Sequence, residues 1–139
     1  MGPTGMIKRE LIIFLIVGSL TVVVDFLSYR GLVWSNLMGV DLAKAIGFLT
    51  GTVFAYFANR IWTFGHKAHA PGSAWRFAVL YTITLSANVL VNALALEILG
   101  DESLAIQLAF LLATAVSAML NFIGMKVFVF RSNSASELL

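Results

Sequence analysis

Four long apolar runs alternate with short polar breaks along this chain, at about residues 11–34, 42–64, 75–99 and 104–130. Each run holds the ~20 mostly apolar residues that an α-helix needs to cross a bilayer. Lipid offers no partner to a bare N–H or C=O, so such a segment must satisfy its backbone internally and is predicted to be helical. The breaks carry turn chemistry: Ser35, Asn36, Gly39 and Asp41 before the second run, His66 through Ser73 with Pro71 and Gly72 before the third, and Gly100, Asp101, Glu102 and Ser103 before the fourth. Asp41 and Ser103 are expected as the N-caps of the helices they open.

Sliding the chain against itself reveals a repeat. Phe14, Gly18, Thr21 and Asp25 fall opposite Phe77, Tyr81, Thr84 and Asn88, and the same register sets Lys44 against Gln107. Near the ends of the second and fourth runs, after a slip of about three residues, Arg60-Ile-Trp-Thr-Phe64 faces Lys126-Val-Phe-Val-Phe130. The repeated unit is a helical hairpin. Two spans per copy make both copies enter the membrane from one side, which is a parallel repeat. The predicted fold class is an all-α membrane protein: four transmembrane helices as two parallel-repeat hairpins, in a single transmembrane domain over residues 1–139.

Composition narrows the function. With 60% hydrophobic and 12% charged residues among 139, and a mean hydropathy of +0.93, four spans leave no room for an enzyme-sized extramembrane cleft. The absence of cysteine removes disulfides, thiol nucleophiles and thiolate metal sites. Lys8 and Arg9 before an apolar run resemble the start of a signal peptide, but the run continues past Asp25 to about Trp34 without a small-residue cleavage site. The first helix is therefore expected to be retained. Lys8, Arg9, Arg60, Lys67, Arg76, Lys126 and Arg131 all fall on one side of the spans, whereas Arg30 and Lys44 share the other with Asp41, Glu97, Asp101 and Glu102. Positive residues near span ends are retained in the cytoplasm, which puts both termini and the central loop there. Trp62, Trp75 and Phe128 through Phe130 are expected at that interface.

The polar residues within the spans carry the chemistry. Asp25 lies ~21 Å into its span at about 1.5 Å per residue, and an uncompensated acid there would cost roughly 3 kcal/mol on insertion scales. Lys44, Tyr29 or Thr21 is expected to compensate it, either as a structural pair or within a site that serves ligand or proton movement. Arg60 and Lys126 are either snorkelling anchors or, with Asn59, Asn121 and Arg76, a phosphate-binding set that uses charge-assisted hydrogen bonds. Gly47, Gly51 and Ala55 recur every four residues, the spacing of close helix packing. Asn88 and Asn92, and Thr114, Ser117 and Asn121, line one face of each helix, fitting interhelical hydrogen bonds and a polar substrate path equally well. His66 and His69 are expected to be solvated loop residues without a metal. No catalytic constellation can be assembled, so no enzymatic activity, cofactor or nucleic-acid partner is expected.

Phe14-Leu-Ile-Val-Gly18 with Thr21 and Asp25, Phe57-Ala-Asn59-Arg60-Ile-Trp62-Thr-Phe64, Arg76-Phe77, and Asn121-Phe122 followed by Lys126-Val-Phe-Val-Phe130 resemble the GtrA family, over about residues 10–131. One departure is Met125, where the second copy often has an Asn before its basic residue. The resemblance implies a four-span protein of the bacterial inner membrane that flips a polyprenyl-phosphate-linked sugar to the outer leaflet, where a separate glycosyltransferase uses it for cell-surface polysaccharide. In that reading Arg60, Lys126 and Arg76 hold the phosphate, and Asp25, Tyr29, Lys44, Asn88 and Asn92 offer hydrogen bonds to the sugar. Four helices enclose little volume, so a homodimer is expected. Similar domains are fused to dolichyl-phosphate mannose synthase-like enzymes, which leaves a non-transporting scaffold that recruits a glycosyltransferase as the alternative. A proton exchanger like the small multidrug-resistance proteins fits less well, because Asp25 lies farther along its span than their Glu and the charge bias here is strong.

Overall fold

A 32-residue helix, α1 (Pro3–Trp34), begins eight residues ahead of the first apolar run. Proline in its first turn loses nothing, since that position has no intrahelical acceptor for an N–H. The computed structural model describes residues 2–67, 69–100 and 102–131. Within them the other helices are α2 (Val40–Ala58), α3 (Ser73–Leu99) and α4 (Ser103–Gly124), and no β-strand is present among the described residues. All four are long and apolar enough to cross a membrane. Their outward faces carry exposed Ile16, Val22, Leu27, Val53, Val89, Leu111 and many similar residues. A surface this apolar is stable facing lipid.

The turns follow from local chemistry, with one correction. Asn36 closes α1 with a left-handed backbone (φ 58°), a conformation that asparagine tolerates better than most side chains. Gly100 (φ 95°) ends α3 and returns its N–H to the Leu96 carbonyl at 2.8 Å. The N-caps are Gly39 and Glu102, not Asp41 and Ser103, and neither makes a side-chain cap hydrogen bond. Asp41 instead sits in the first turn of α2, where its charge favours the positive end of the helix dipole.

The chain folds as two compact units, residues 1–66 and 67–139. In the first, α1 lies against α2 along a seam of small residues. Ala43, Gly47, Gly51 and Ala55 are buried on α2, against an α1 face with buried Glu10, Phe14 and Val17. A Cβ at Gly47 would stand 2.9 Å from both the Asp25 carbonyl and Asp25 Oδ1, and one at Gly51 would stand 3.1 Å from Asp25 Cβ and 3.3 Å from the Thr21 carbonyl. Nothing comes within 4 Å of a Cβ at Gly18 or Gly31. Between α1 and α2, glycine is therefore required where the backbones meet.

The second unit repeats the design with slightly larger residues. Ala105, Ala109 and Ala113 are buried on α4, and Ser73, Phe77, Leu80, Thr84 and Ala95 on α3. Phe14 and Phe77, or Thr21 and Thr84, are sixty-three residues apart, as the sequence alignment sets them. On the second helices the buried pairs Ala43 and Ala109, and Gly47 and Ala113, are sixty-six apart. The three-residue slip therefore precedes α2 and α4 rather than falling near their ends. In this register Lys44 corresponds to Phe110, not to Gln107.

Arg76, buried at 4% exposure, closes the second unit. Nη1 donates to the Pro71 carbonyl at 2.8 Å, and Nη2 to the Ala70 and Val129 carbonyls at 3.3 Å each. These bonds tie the loop before α3 to the end of the α4 hairpin arm.

Two substitutions test the packing. Gly47→Ala should lower stability by about 1–3 kcal/mol, since its methyl meets backbone that cannot swing aside. Gly18→Ala, in open space, should be neutral or stabilising by up to ~1 kcal/mol through helix propensity. Helicity followed through a graded detergent denaturation compares them, and equal midpoints for the two variants would contradict the seam. In the same assay Arg76→Ala, which strands three carbonyls, should lose roughly 2–4 kcal/mol, with Arg76→Lys recovering part of it.

Candidate functional site

Both hairpins end in the same unusual way. The α-helix widens into one π turn, Asn59–Thr63 after α2 and Met125–Val129 after α4. The widening shows in i→i−5 bonds from the Phe64 N–H to the Asn59 carbonyl at 2.9 Å and from the Phe130 N–H to the Met125 carbonyl at 2.7 Å. Phe64 and Phe130 are fully buried and pin the two ends. A π turn forfeits regular bonding and is frequent at functional sites. The second residue of each is basic: Arg60 in one, Lys126 in the other.

The first π turn is stitched by polar side chains. Asn59 Nδ2 donates to the Ala55 carbonyl at 2.9 Å, and Thr63 Oγ1 donates to Asn59 Oδ1 at 2.8 Å. Asn59 thus stands behind Arg60 as a brace, buried with Thr63, while Arg60, Ile61 and Trp62 face outward. Trp62 meets Phe54 edge-to-face with ring centroids 6.3 Å apart. The second π turn replaces the brace by apolar packing, with Met125 and Val129 buried in the places of Asn59 and Thr63.

Around Lys126 the second unit gathers further cations. Lys67 Nζ donates to the Lys126 carbonyl at 3.4 Å, and Arg76 donates to the Val129 carbonyl. Carbonyls exposed at a helix C-terminus attract cations. The guanidinium of Arg76 therefore reaches this site as a charge whose Nη donors already serve the backbone. Asn121 Oδ1 is buried with no hydrogen-bond partner among the described residues. The interface aromatics divide: Trp75 is exposed and edge-on to Phe128 at 6.0 Å, whereas Phe130 is an interior residue with the His69 ring 5.3 Å away.

The loop histidines are not simply solvated. His66 Nε2 lies 3.8 Å from Glu10 Oε2, and Arg9 lies 3.5 Å from His66 Nδ1. Donation by Arg9 to Nδ1 leaves the ring proton on Nε2, directed at the carboxylate. Glu10 is wholly buried, and sequence reasoning passed over it. Its signal was present: Glu10, Phe14, Val17, Thr21 and Asp25 share one helical face. The cluster joins the start of α1 to the end of the first π turn, so Arg9 and Arg60 lie at the same end of this hairpin.

Deeper in the spans the expected pairing of Asp25 is not observed. Asp25 Oδ1 is buried against Gly47 without a hydrogen-bond partner among the described residues. Thr21 Oγ1 donates to the Val17 carbonyl at 2.8 Å, and Lys44 Nζ sits over the Tyr29 ring, 5.4 Å from its centroid. The second unit answers the same place with a closed polar pair. Asn88 Nδ2 donates to Ser117 Oγ at 2.9 Å, and Ser117 Oγ donates to the Thr114 carbonyl at 3.1 Å. Asn92, one turn beyond Asn88, is half-buried.

No solved structure matches the chain. Residues 13–130 match the family described as GtrA/DPMS, transmembrane domain. That stretch takes in all four helices apart from the start of α1, and both π turns with their basic residues. The chain belongs to the GtrA/DPMS transmembrane-domain family.

Proposed function

We propose that this chain translocates a polyprenyl-phosphate-linked monosaccharide from the cytoplasmic to the outer leaflet of a bacterial inner membrane, for glycosylation of cell-surface polysaccharide. Family membership supports work on lipid-linked sugars. The observation that carries the reading is the basic residue set at the same point of both π turns. Arg60 is exposed and, among the described residues, makes no hydrogen bond or ion pair. It is free to grip phosphate oxygens with the planar fork of its guanidinium, which recognises them bidentately. Lys126 supplies a point charge at the matching place, with Arg76 and Lys67 adding to the local field. Asn59 and Asn121 support the two ends, while Asp25, Tyr29, Lys44, Asn88 and Asn92 offer polar contacts to the sugar within the spans. Both termini lie in the cytoplasm in this reading, the chain acts as a homodimer, and a separate glycosyltransferase takes the product outside. The chain itself catalyses no covalent step.

A second reading has its own support. The family description couples GtrA to DPMS, and a domain shared in that way also suits a scaffold that holds a glycosyltransferase at the membrane. Purified protein in liposomes with a polyprenyl-phosphate-sugar separates the two. Appearance of the sugar in the opposite leaflet should exceed that in empty liposomes, Arg60→Ala should slow it about tenfold or more, and Arg60→Lys should retain part of the rate. Wild-type transport equal to empty liposomes would leave the scaffold, which should then keep surface glycosylation intact in Arg60→Ala cells.

A further inference from the structure

The first hairpin also carries a cationic cleft at the end opposite Arg60. Leu27, Arg30, Gly31, Val33, Trp34 and Asn36 line an open cavity of about 700 Å³. Leu27, Arg30, Gly31 and Trp34 follow the i, i+3, i+4, i+7 spacing of one helix face. Gly31 leaves the floor of the cleft bare, with nothing within 4 Å of where a Cβ would stand. Trp34 is 88% exposed, and the left-handed Asn36 turns the chain away at the rim. Arg30 is exposed and, among the described residues, makes no hydrogen bond or ion pair. The nearby cation differs: Lys44 rests over the Tyr29 ring.

Three considerations give this cleft an occupant. Arg30 lies about 32 Å along α1 from Arg9 at 1.5 Å per residue, one hydrocarbon thickness away. Position along the helix therefore assigns it to the far leaflet's headgroup zone. A basic residue there runs against the charge bias that orients the spans, so orientation does not account for it. The second hairpin has an apolar cavity of about 500 Å³ at the matching place, lined by Leu90 and Ala93, but lacks both the cation and the indole, with Ala93 and Glu97 at the places of Arg30 and Trp34. An anchor that the fold needed would be expected in both copies. Arginine beside an exposed indole, flanked by Leu27 and Val33, offers a fork for phosphate oxygens, a flat face for a sugar ring, and an apolar wall for a prenyl chain.

We infer that Arg30 and Trp34 form a second phosphate site that receives the headgroup of the prenyl-phosphate lipid at the outer leaflet, after Arg60 has held it at the inner one. The inference rests on the proposed function for its ligand and sidedness, and its test is separate. With Trp62→Phe and Trp75→Phe, Trp34 is the sole tryptophan and reports on the cleft. The full chain in nanodiscs of zwitterionic lipid is titrated with a polyprenyl phosphate while Trp34 emission is read. A saturable change is expected, weakened about tenfold or more by Arg30→Ala and Arg30→Gln and less by Arg30→Lys, with helicity by circular dichroism unchanged. Arg60→Ala should leave the Trp34 response in place. Unchanged affinity in both neutral Arg30 variants overturns the site, and so does loss of the Trp34 response in Arg60→Ala. An equal response to phosphatidylglycerol discs would make Arg30 a general anionic-lipid anchor, and one to inorganic phosphate a free-anion site; either result overturns the inference. If the liposome transport assay fails while the Arg30-dependent titration saturates, the transport reading falls and the site stands.

Discussion

Everything in this protein depends on helices associating in a solvent as apolar as their own side chains. Lipid gives no hydrophobic reward for burying leucine, so α1 and α2 gain by dispersion and close backbone approach instead. The α2 seam of Ala43, Gly47, Gly51 and Ala55 brings its backbone to the Asp25 and Thr21 carbonyls. That approach determines the state of Asp25. Its Oδ1 is pressed against the one surface that has neither side chain nor free N–H to offer, since the helical N–H groups of α2 serve their own turns. The second hairpin, with Ala113 and Ser117 in the corresponding places, meets Asn88 with a hydroxyl. The two hairpins thus differ at both partners: Asp25 faces the bare Gly47 and Gly51, whereas Asn88, which can donate, meets the Ser117 hydroxyl.

The π turns follow from what happens where the seam ends. One additional residue in the last turn shifts the phase of the helix, so that Asn59, Thr63 and Phe64, and likewise Met125, Val129 and Phe130, all face inward. With those positions fixed inside, Arg60 and its neighbours Ile61 and Trp62 are driven outward. Each π turn therefore presents a basic residue at a depth set by packing rather than by its flexible stem. Polar stitching achieves this in the first copy through Asn59 and Thr63, and apolar filling achieves it in the second. A shared backbone device built from different side chains points to the presented cation as what the two copies have in common.

Much of this was legible in the sequence because hydrophobic length and small-residue spacing are local signals. The four helices, the hairpin repeat and the Gly47–Gly51–Ala55 seam needed only the period of the chain. The slip between copies was placed too late because side-chain types match in both registers, and only burial separates Ala109 from Ile106 as the counterpart of Ala43. His66 could not be assigned, since its partner Glu10 is fifty-six residues away and becomes one through folding. Arg76 looked like a free cation because its acceptors are main-chain carbonyls, which no sequence pattern displays. Asp25 is expected from sequence to find Lys44, but a flexible ammonium has several choices, and here it lies over the Tyr29 face.

The two copies also diverge in the charge at their ends. On the side that holds Arg60 and Lys126 the hairpins agree in sign. At the other end the first hairpin bears Arg30 and Lys44 with a single acid, Asp41, and the second bears Glu97, Asp101 and Glu102 with no cation. The positive-inside bias concerns cations near the ends of spans at the retained side, so it does not account for cations at this end. The two copies therefore share a basic residue at one end and differ in charge at the other. Cations at both ends of the first hairpin are what the proposed movement of an anionic headgroup between leaflets calls for, since each end then offers it a favourable charge.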